Sequence, residues 1–314
     1  MTPEPKMNPD LSTQVGPIRL NNPVLVASGT FGGIQNRVMD PSRLGGFVLK
    51  TVTMEARKGN PPPRVWETAG GMLNSIGLDN KGLEGFIEKD LTAFRSWNDL
   101  LVVSVSGRTV EEYGVMLKRL SEEPNISAFE LNISCPNVSH GTDHASDPAM
   151  TEAIVQIAKS STTIPVIVKL SPNVTDIVPI ADAALQGGAD ALSLVNTLKG
   201  VAIDWRRRGP CLGNTVGGLS GPAIKPVALR LVREVSARFP KAPLIGIGGI
   251  STVDDILEFA VAGASAVQVG TLNFVDAEKP LKILEELPAR LSEAGVSSFS
   301  EIVGTFDPGN HPSH

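Results

Sequence analysis

Eight times along this chain a short apolar, largely β-branched run gives way to a small or polar residue and then to a segment with helical spacing. No other feature limits the fold as much. The strands are read at Val24–Ser28, Gly45–Val52, Leu101–Ser106, Ala128–Cys135, Pro165–Leu170, Ala191–Val195, Leu244–Ile247 and Ala266–Val269. Helices are expected between them over Gly82–Phe94, Val110–Leu120, Met150–Lys159, Val174–Gln186, Ile224–Ala237 and Val253–Val261, with a last one at Leu281–Leu291. Thr109 and Glu112 read as a capping box for the second. Such near-continuous apolar strands suit a parallel sheet buried on both faces. Eight of them alternating with helices predict an α/β fold, a closed (β/α)8 TIM barrel of about 250 residues plus insertions. An open doubly wound sheet competes, but the G-x-G-x-x-G that usually follows its first strand is absent.

One domain is expected over residues 1–314, with 1–12 and 303–314 as flexible tails. Asn21-Asn22 reads as the turn of an N-terminal hairpin. The Pro- and Gly-rich segment Thr53–Leu78 and the later Leu198–Ser220 read as excursions above the C-terminal face of the barrel. A 41% hydrophobic content with 19% charged residues supports a large core. A net charge of −5 and a single tyrosine argue against a nucleic-acid surface. Two cysteines, Cys135 and Cys211, are too few for a disulfide framework. Met1–Asp10 is polar and no apolar run spans a bilayer, so a cytoplasmic protein without membrane contact is expected.

In such a barrel the chemistry gathers at the carboxyl ends of the strands. The polar residues there are Ser28, Lys50, Ser104, Asn132, Cys135, Lys169, Asn196, Thr197 and Thr271, with Asn74 joining from a loop. Cys135 falls where a strand runs into Pro136, flanked by Asn132, Ser134 and Asn137. Cysteine is often mere core filling, but three amide or hydroxyl neighbours are costly to bury unless they bind something. Gly248-Gly249 and Gly270-Thr271 end the last two strands and suit a phosphate held by backbone N–H groups, or simple turns. Few carboxylates occur at these ends, so Lys50 and Lys169 point to a bound anion rather than an internal salt bridge. Lys169 also suits a Schiff-base lysine of an aldolase-type barrel. Asn74, Asn132, Asn137 and Asn196 together suit a planar ligand with alternating donors and acceptors. His140, Asp143 and His144 read as a solvated loop rather than a metal site, and Arg206–Arg208 as a solvated turn.

The segments L-N-S-I-G-L at Leu73–Leu78, N-I-S-C-P-N-V at Asn132–Val138, V-K-L-S-P-N at Val168–Asn173, L-V-N-T at Leu194–Thr197 and G-G-L-S-G-P-A-I-K-P at Gly217–Pro226 carry a resemblance that spans Pro17 to Leu291. In these the chain resembles the dihydroorotate dehydrogenases. Cysteine rather than serine at position 135 is similar to the soluble class 1 enzymes, and the wording is nearest to the NAD-linked class 1B.

The resemblance implies oxidation of (S)-dihydroorotate to orotate in pyrimidine biosynthesis, with Cys135 removing the C5 proton and hydride passing from C6 to N5 of FMN. It implies that Lys50, Asn74, Ser75, Ile76, Gly77, Leu78, Asn132, Asn196 and Thr197 hold the substrate. FMN would be held by Ser28, Lys50, Thr51, Ser104, Asn132, Lys169, Val195, Gly221, Gly248, Gly249, Gly270 and Thr271. Ser104 stands where relatives often carry asparagine. A homodimer of catalytic chains is implied, joined by two partner subunits that carry FAD and a 2Fe–2S cluster and pass electrons to NAD. The two cysteines of this chain could not ligate such a cluster, which takes four. A flavoenzyme like dihydropyrimidine dehydrogenase, sharing barrel, flavin and cysteine, is the other reading of the same residues.

Overall fold

The computed structural model describes residues 8–31, 40–94, 100–134 and 146–309. Eight parallel strands run as β1 (Val24–Val26), β2 (Gly46–Val52), β3 (Leu101–Val105), β4 (Ala128–Asn132), β5 (Val166–Leu170), β6 (Ala191–Leu194), β7 (Leu244–Ile247) and β8 (Ala266–Val269). They pair in chain order, and β8 returns to β1 through Val267 opposite Val24, closing the barrel. With helices between the strands, this is the (β/α)8 architecture that the alternation predicts.

Side chains alternate across a strand, so every second residue points into the barrel. One inward layer takes an apolar residue from each strand: Leu25, Val48, Val102, Ala128, Ile167, Ala191, Ile245 and Ala266. All are buried in one cluster with Val15, Ile18 and Leu20. Those three belong to an antiparallel hairpin, Thr13–Val15 with Ile18–Leu20, that plugs the amino-terminal end. The opposite strand face, including Val103, Phe129, Leu131, Val168 and Val267, packs outward in a second cluster with helix residues such as Met116, Ile154, Val232 and Ile256. Two residues beyond the apolar layer, the inward positions read Ala27, Lys50, Ser104, Glu130, Lys169, Ser193, Ile247 and Gln268. The interior therefore turns from apolar to mostly polar within one pleat repeat.

Several elements differ from the sequence expectation. The hairpin reverses at Gly16-Pro17 rather than Asn21-Asn22, because Gly16 takes φ 57° and a Cβ there would meet the Asp190 carbonyl at 2.3 Å. Asn22 instead starts β1: its Oδ1 accepts from Val24 N–H at 3.2 Å and its Nδ2 donates to the Arg43 carbonyl at 3.1 Å. The two excursions are one object. Val65–Thr68 pairs with Gly71–Asn74, which pairs with Gly217–Ser220, which pairs with Leu198–Gly200, giving a four-stranded antiparallel sheet. Asn74 thus sits on a strand rather than in a loop.

The helical stretch after Gly82 is a short α-turn followed by a π-turn at Phe86–Asp90 and a 3-10 turn at Leu91–Phe94. The fourth expected helix starts at Val178, not Val174, where Asp176 Oδ1 accepts the Val178 N–H at 2.9 Å. Thr109 caps its helix through the Glu112 N–H, but Glu112 answers to the N–H of Arg108, not Thr109. The reciprocal box occurs at Thr252 and Asp255. Toward the ends expected as tails, Asp10 bridges to Ser298, and the N–H groups of Gly304 and Phe306 donate to Ala260 and Val261 carbonyls. No helix among the described residues is long and apolar enough to cross a membrane.

Candidate functional site

Because the strands are parallel, the polar layer and everything beyond it open at one end of the barrel. A β-bulge between Leu49 and Val52 lets β2 present neighbouring residues to that end. Thr51 Oγ1 lies 2.9 Å from Ser104 Oγ and 3.3 Å from Ser28 Oγ, while Ser28 donates to the Leu49 carbonyl at 2.8 Å. Three hydroxyls, from β2, β3 and the segment after β1, thus line one wall. Lys50 stands beside them, its ammonium close enough that a Cβ on Gly29 would lie 3.2 Å from it. The side chain is open to solvent yet set in a concave mouth walled by protein. That burial pulls the Lys50 pKa below the ordinary lysine value of 10.5, with Asp79 pulling it back up. Thr51, Asp79, Asn80 and Phe86 line the adjoining cleft with Lys50.

On the facing wall, Asn196 Nδ2 donates to Asn132 Oδ1 at 3.2 Å and to Ser134 Oγ at 3.0 Å, and Asn196 Oδ1 accepts from the Thr197 N–H at 2.8 Å. Asn132 is further held by Tyr113, whose hydroxyl donates to its carbonyl at 3.0 Å. The excursion sheet roofs this wall. Asn74 Nδ2 donates to the Gly218 carbonyl at 3.3 Å, and Gly218 packs so closely on Thr197 that a Cβ would sit 2.1 Å from its hydroxyl. Ser75 is buried and bonded to Asn60 and Arg64, the Ile76 carbonyl accepts from Asn60, and Gly77 and Leu78 both take positive φ. Lys50, Asn74, Asn132, Asn196 and Thr197 thus come to one end of the barrel, from β2, the excursion sheet, β4 and the segment after β6, and Ser75–Leu78 follow Asn74 along the chain.

The third side is backbone. Gly248 and Gly249 follow β7 with φ of 134° and 74°, and a Cβ at Gly249 would meet the Gly221 carbonyl at 2.9 Å. Thr271 donates to Ser220 Oγ at 2.7 Å, tying the end of β8 to the excursion sheet. Val195 continues β6 and its N–H donates to the Ile247 carbonyl at 3.0 Å. A flavin mononucleotide asks for cationic and hydroxyl donors around its ring and bare backbone near its phosphate. Lys50, Thr51, Ser104 and Lys169 on one side and the Gly221, Gly249 and Gly270 segments on the other have that chemistry, so the residues fit the group.

One expectation is overturned. Lys169 does meet an internal carboxylate: its Nζ lies 3.4 Å from Oε1 of Glu130, which is fully buried on the neighbouring strand. Glu130 lies within the strand read as Ala128–Cys135, and it points inward because it lies two residues before Asn132 on the same face. Sequence reasoning also passed over Ser193 and Gln268, both of which donate to Glu130, and Asn173, whose Nδ2 donates to the Thr197 carbonyl at 2.9 Å. The signal was an isolated charge inside an apolar strand, but its partners depend on barrel register. Cys135, Asn137, His140, Asp143 and His144 lie outside the described residues. Arg206–Arg208 form an exposed turn, with Arg206 stacked 4.7 Å over Trp205 and Arg207 bonded to Asp204. Cys211 is a buried free thiol in the second excursion.

A profile described as dihydroorotate dehydrogenase matches residues 10–291. A protein from Geotalea uraniireducens named dihydroorotate dehydrogenase B (NAD(+)), catalytic subunit, is 48% identical over 95% of this chain and 98% of its own length. Proteins of the same name from Trichlorobacter lovleyi and Alkaliphilus metalliredigens are 47% and 46% identical, covering 96% and 95% of this chain and 100% and 99% of their own lengths. With the barrel, the gathered strand-end residues and this full-length similarity to the B-type catalytic subunits, the chain belongs to the dihydroorotate dehydrogenase family.

Proposed function

We propose that this chain oxidises (S)-dihydroorotate to orotate in pyrimidine biosynthesis as the FMN-bearing catalytic subunit of an NAD-linked enzyme. The observation that carries the reading is the ring of donors at one mouth: two lysines, three hydroxyls and three amides around a space bounded by glycine backbone. Asn74, Asn132 and Asn196, with Thr197 and the Ser75–Leu78 backbone, would grip the planar ring through its alternating donors and acceptors. Lys50 supplies positive charge for the ring carboxylate, which a substrate such as dihydrouracil lacks. Cys135, three residues after Asn132 in the sequence, is the base that takes the C5 proton, leaving the hydrogen on C6 to depart with its electron pair. A thiol of ordinary pKa, about 8.5, is largely protonated at neutral pH, so its surroundings must favour the thiolate.

FMN, when bound, supplies the two-electron acceptor for that hydride at N5. Ser28, Thr51, Ser104, Lys169 and Val195 would hold its ring, and Gly221, Gly248, Gly249, Gly270 and Thr271 its ribityl phosphate. The relatives' name, catalytic subunit of an NAD(+)-linked enzyme, supports a separate electron-transfer partner. We assign FAD and a 2Fe–2S cluster to that partner, in an assembly of two catalytic and two electron-transfer subunits built on a catalytic homodimer, in the cytoplasm. Schiff-base chemistry at Lys169 is disfavoured because its Nζ is already engaged by the buried Glu130 carboxylate at 3.4 Å, whereas attack on a carbonyl needs a free, uncharged amine. The test is an anaerobic titration of the purified chain. Dihydroorotate should bleach a yellow flavin band and dihydrouracil should not; a colourless protein, or bleaching by dihydrouracil alone, rejects the reading.

A further inference from the structure

Behind Lys169 lies a buried carboxylate, Glu130, to which the proposed reaction assigns no role. Glu130 projects into the barrel from β4 with no solvent exposure. Its Oε1 faces Lys169 Nζ on β5 at 3.4 Å, and its Oε2 accepts from Ser193 Oγ on β6 at 3.1 Å and from Gln268 Nε2 on β8 at 2.7 Å. All three partners offer donors and together they fix both carboxylate oxygens. Placing a carboxylate here is costly: the layer immediately below is apolar at all eight positions, and a buried ion pair seldom improves on a packed apolar one. A purely structural interior would continue the apolar layer. Glu130 instead occupies the position from which it reaches the ammonium of Lys169, two residues below Asn132, at the boundary between core and site.

We propose that Glu130 is a positioning residue that offsets the charge of Lys169 and so holds down the reduction potential of the flavin above it; this rests on the proposed flavin chemistry. Lys169 alone would favour the extra negative charge that a flavin gains on reduction. With Glu130 behind it, the pair presents a directed dipole rather than a full cation. Ser193 and Gln268 keep the carboxylate from swinging upward toward the bound ring, where it would repel reduced flavin and orotate alike.

The test is the two-electron midpoint potential of FMN in the purified catalytic chain and in Glu130→Gln, which keeps the shape and removes the charge. The variant should load FMN and show a tenfold shift of the oxidised-to-reduced ratio toward reduced flavin at a fixed poise, about 30 mV upward for a two-electron couple. A flavin-loaded E130Q with the wild-type potential overturns the proposal, since a merely structural glutamate would alter stability and leave the potential alone. If E130Q does not fold, Glu130→Asp carries the test, because it keeps the charge but draws it back from Lys169. A smaller upward shift supports the proposal and an unmoved potential overturns it. A wild-type chain that binds no flavin would reject the proposed function itself.

Discussion

The two inward layers of the barrel are built by the same eight strands, two residues apart, and they differ in nearly every chemical respect. Below, Leu25, Val48, Val102, Ile167 and Ile245 meet small alanines and the hairpin plug in a dry cluster. Above, Lys50, Ser104, Glu130, Lys169, Ser193 and Gln268 hold charges and hydroxyls, four of them in a single bonded group around Glu130. The lower layer stabilises the barrel through area removed from water, about 1.5–3 kcal/mol for each large side chain. The upper layer gains little from burial and must satisfy every polar atom, which it does except at places such as the Gln268 carbonyl oxygen, unpartnered among the described residues. Stability and chemistry are thereby separated by about 7 Å along each strand, two residues of rise.

The contrast is broken most severely by removing the proposed base or the buried cation. Cys135→Ala should lower steady-state oxidation of dihydroorotate by at least about 100-fold while FMN stays bound, read by turnover and visible absorbance. Lys169→Met should destabilise the fold by about 3 kcal/mol, because it leaves the Glu130 carboxylate buried without its ammonium, and denaturant unfolding would register the loss. Ile167→Ala, two residues earlier on the same strand, should cost a similar 2–5 kcal/mol through a cavity, yet leave the flavin spectrum and KM unchanged. Equal effects of the two substitutions on the flavin would erase the distinction between the layers.

Lys50 sharpens the comparison through pH. Burial lowers its pKa, so its charged form is the penalised one: the cost to folding applies below the lowered value and fades as pH rises through it toward 10.5. Orotate binding runs the other way, weakening as pH climbs through the same lowered value. A titration of orotate affinity against pH should show that alkaline limb, and Lys50→Met should bind weakly at every pH without it.

The smallest effect belongs outside both layers, at the Lys225–Asp255 pair behind Gly249. Burial raises the Asp255 pKa, but the Lys225 ammonium and the Ser251 and Thr252 N–H groups outweigh it, and the result lies below the usual carboxylate range. Bonds to Asp255 and then Glu258 raise the pKa of Lys225. The pair's contribution is therefore present at neutral pH. It is lost in acid as Asp255 protonates below 3.8, and in alkali as Lys225 deprotonates above 10.5. Lys225→Met should cost about 1 kcal/mol at pH 7 and nothing in strong acid, by thermal unfolding across pH.

How much of this was legible beforehand follows from range. Strand order, barrel closure and the position of Asn132, Lys169 and Asn196 at strand ends depend on local periodicity, and the sequence carries that openly. The hairpin turn was misread because Asn21-Asn22 has the composition of a reversal, while the left-handed demand on Gly16 comes from a distant carbonyl at Asp190. The excursions looked like loops because their strands are short and pair across more than a hundred residues, Leu73 with Leu219. Glu130 was missed for the same reason. Its partners are contributed by β5, β6 and β8, and only the register of a closed barrel brings them within bonding distance.

The central claim is that the upper layer is the floor of a flavin and pyrimidine site reached by Cys135. A crystal structure of the chain with FMN and orotate tests it most directly. The account predicts the flavin ring lying over Ser104 and Lys169, with orotate held by Asn74, Asn132 and Asn196 between that ring and the Cys135 sulfur. Finding the flavin at the hairpin end of the barrel, or the Cys135 sulfur turned away from the orotate ring, would contradict it.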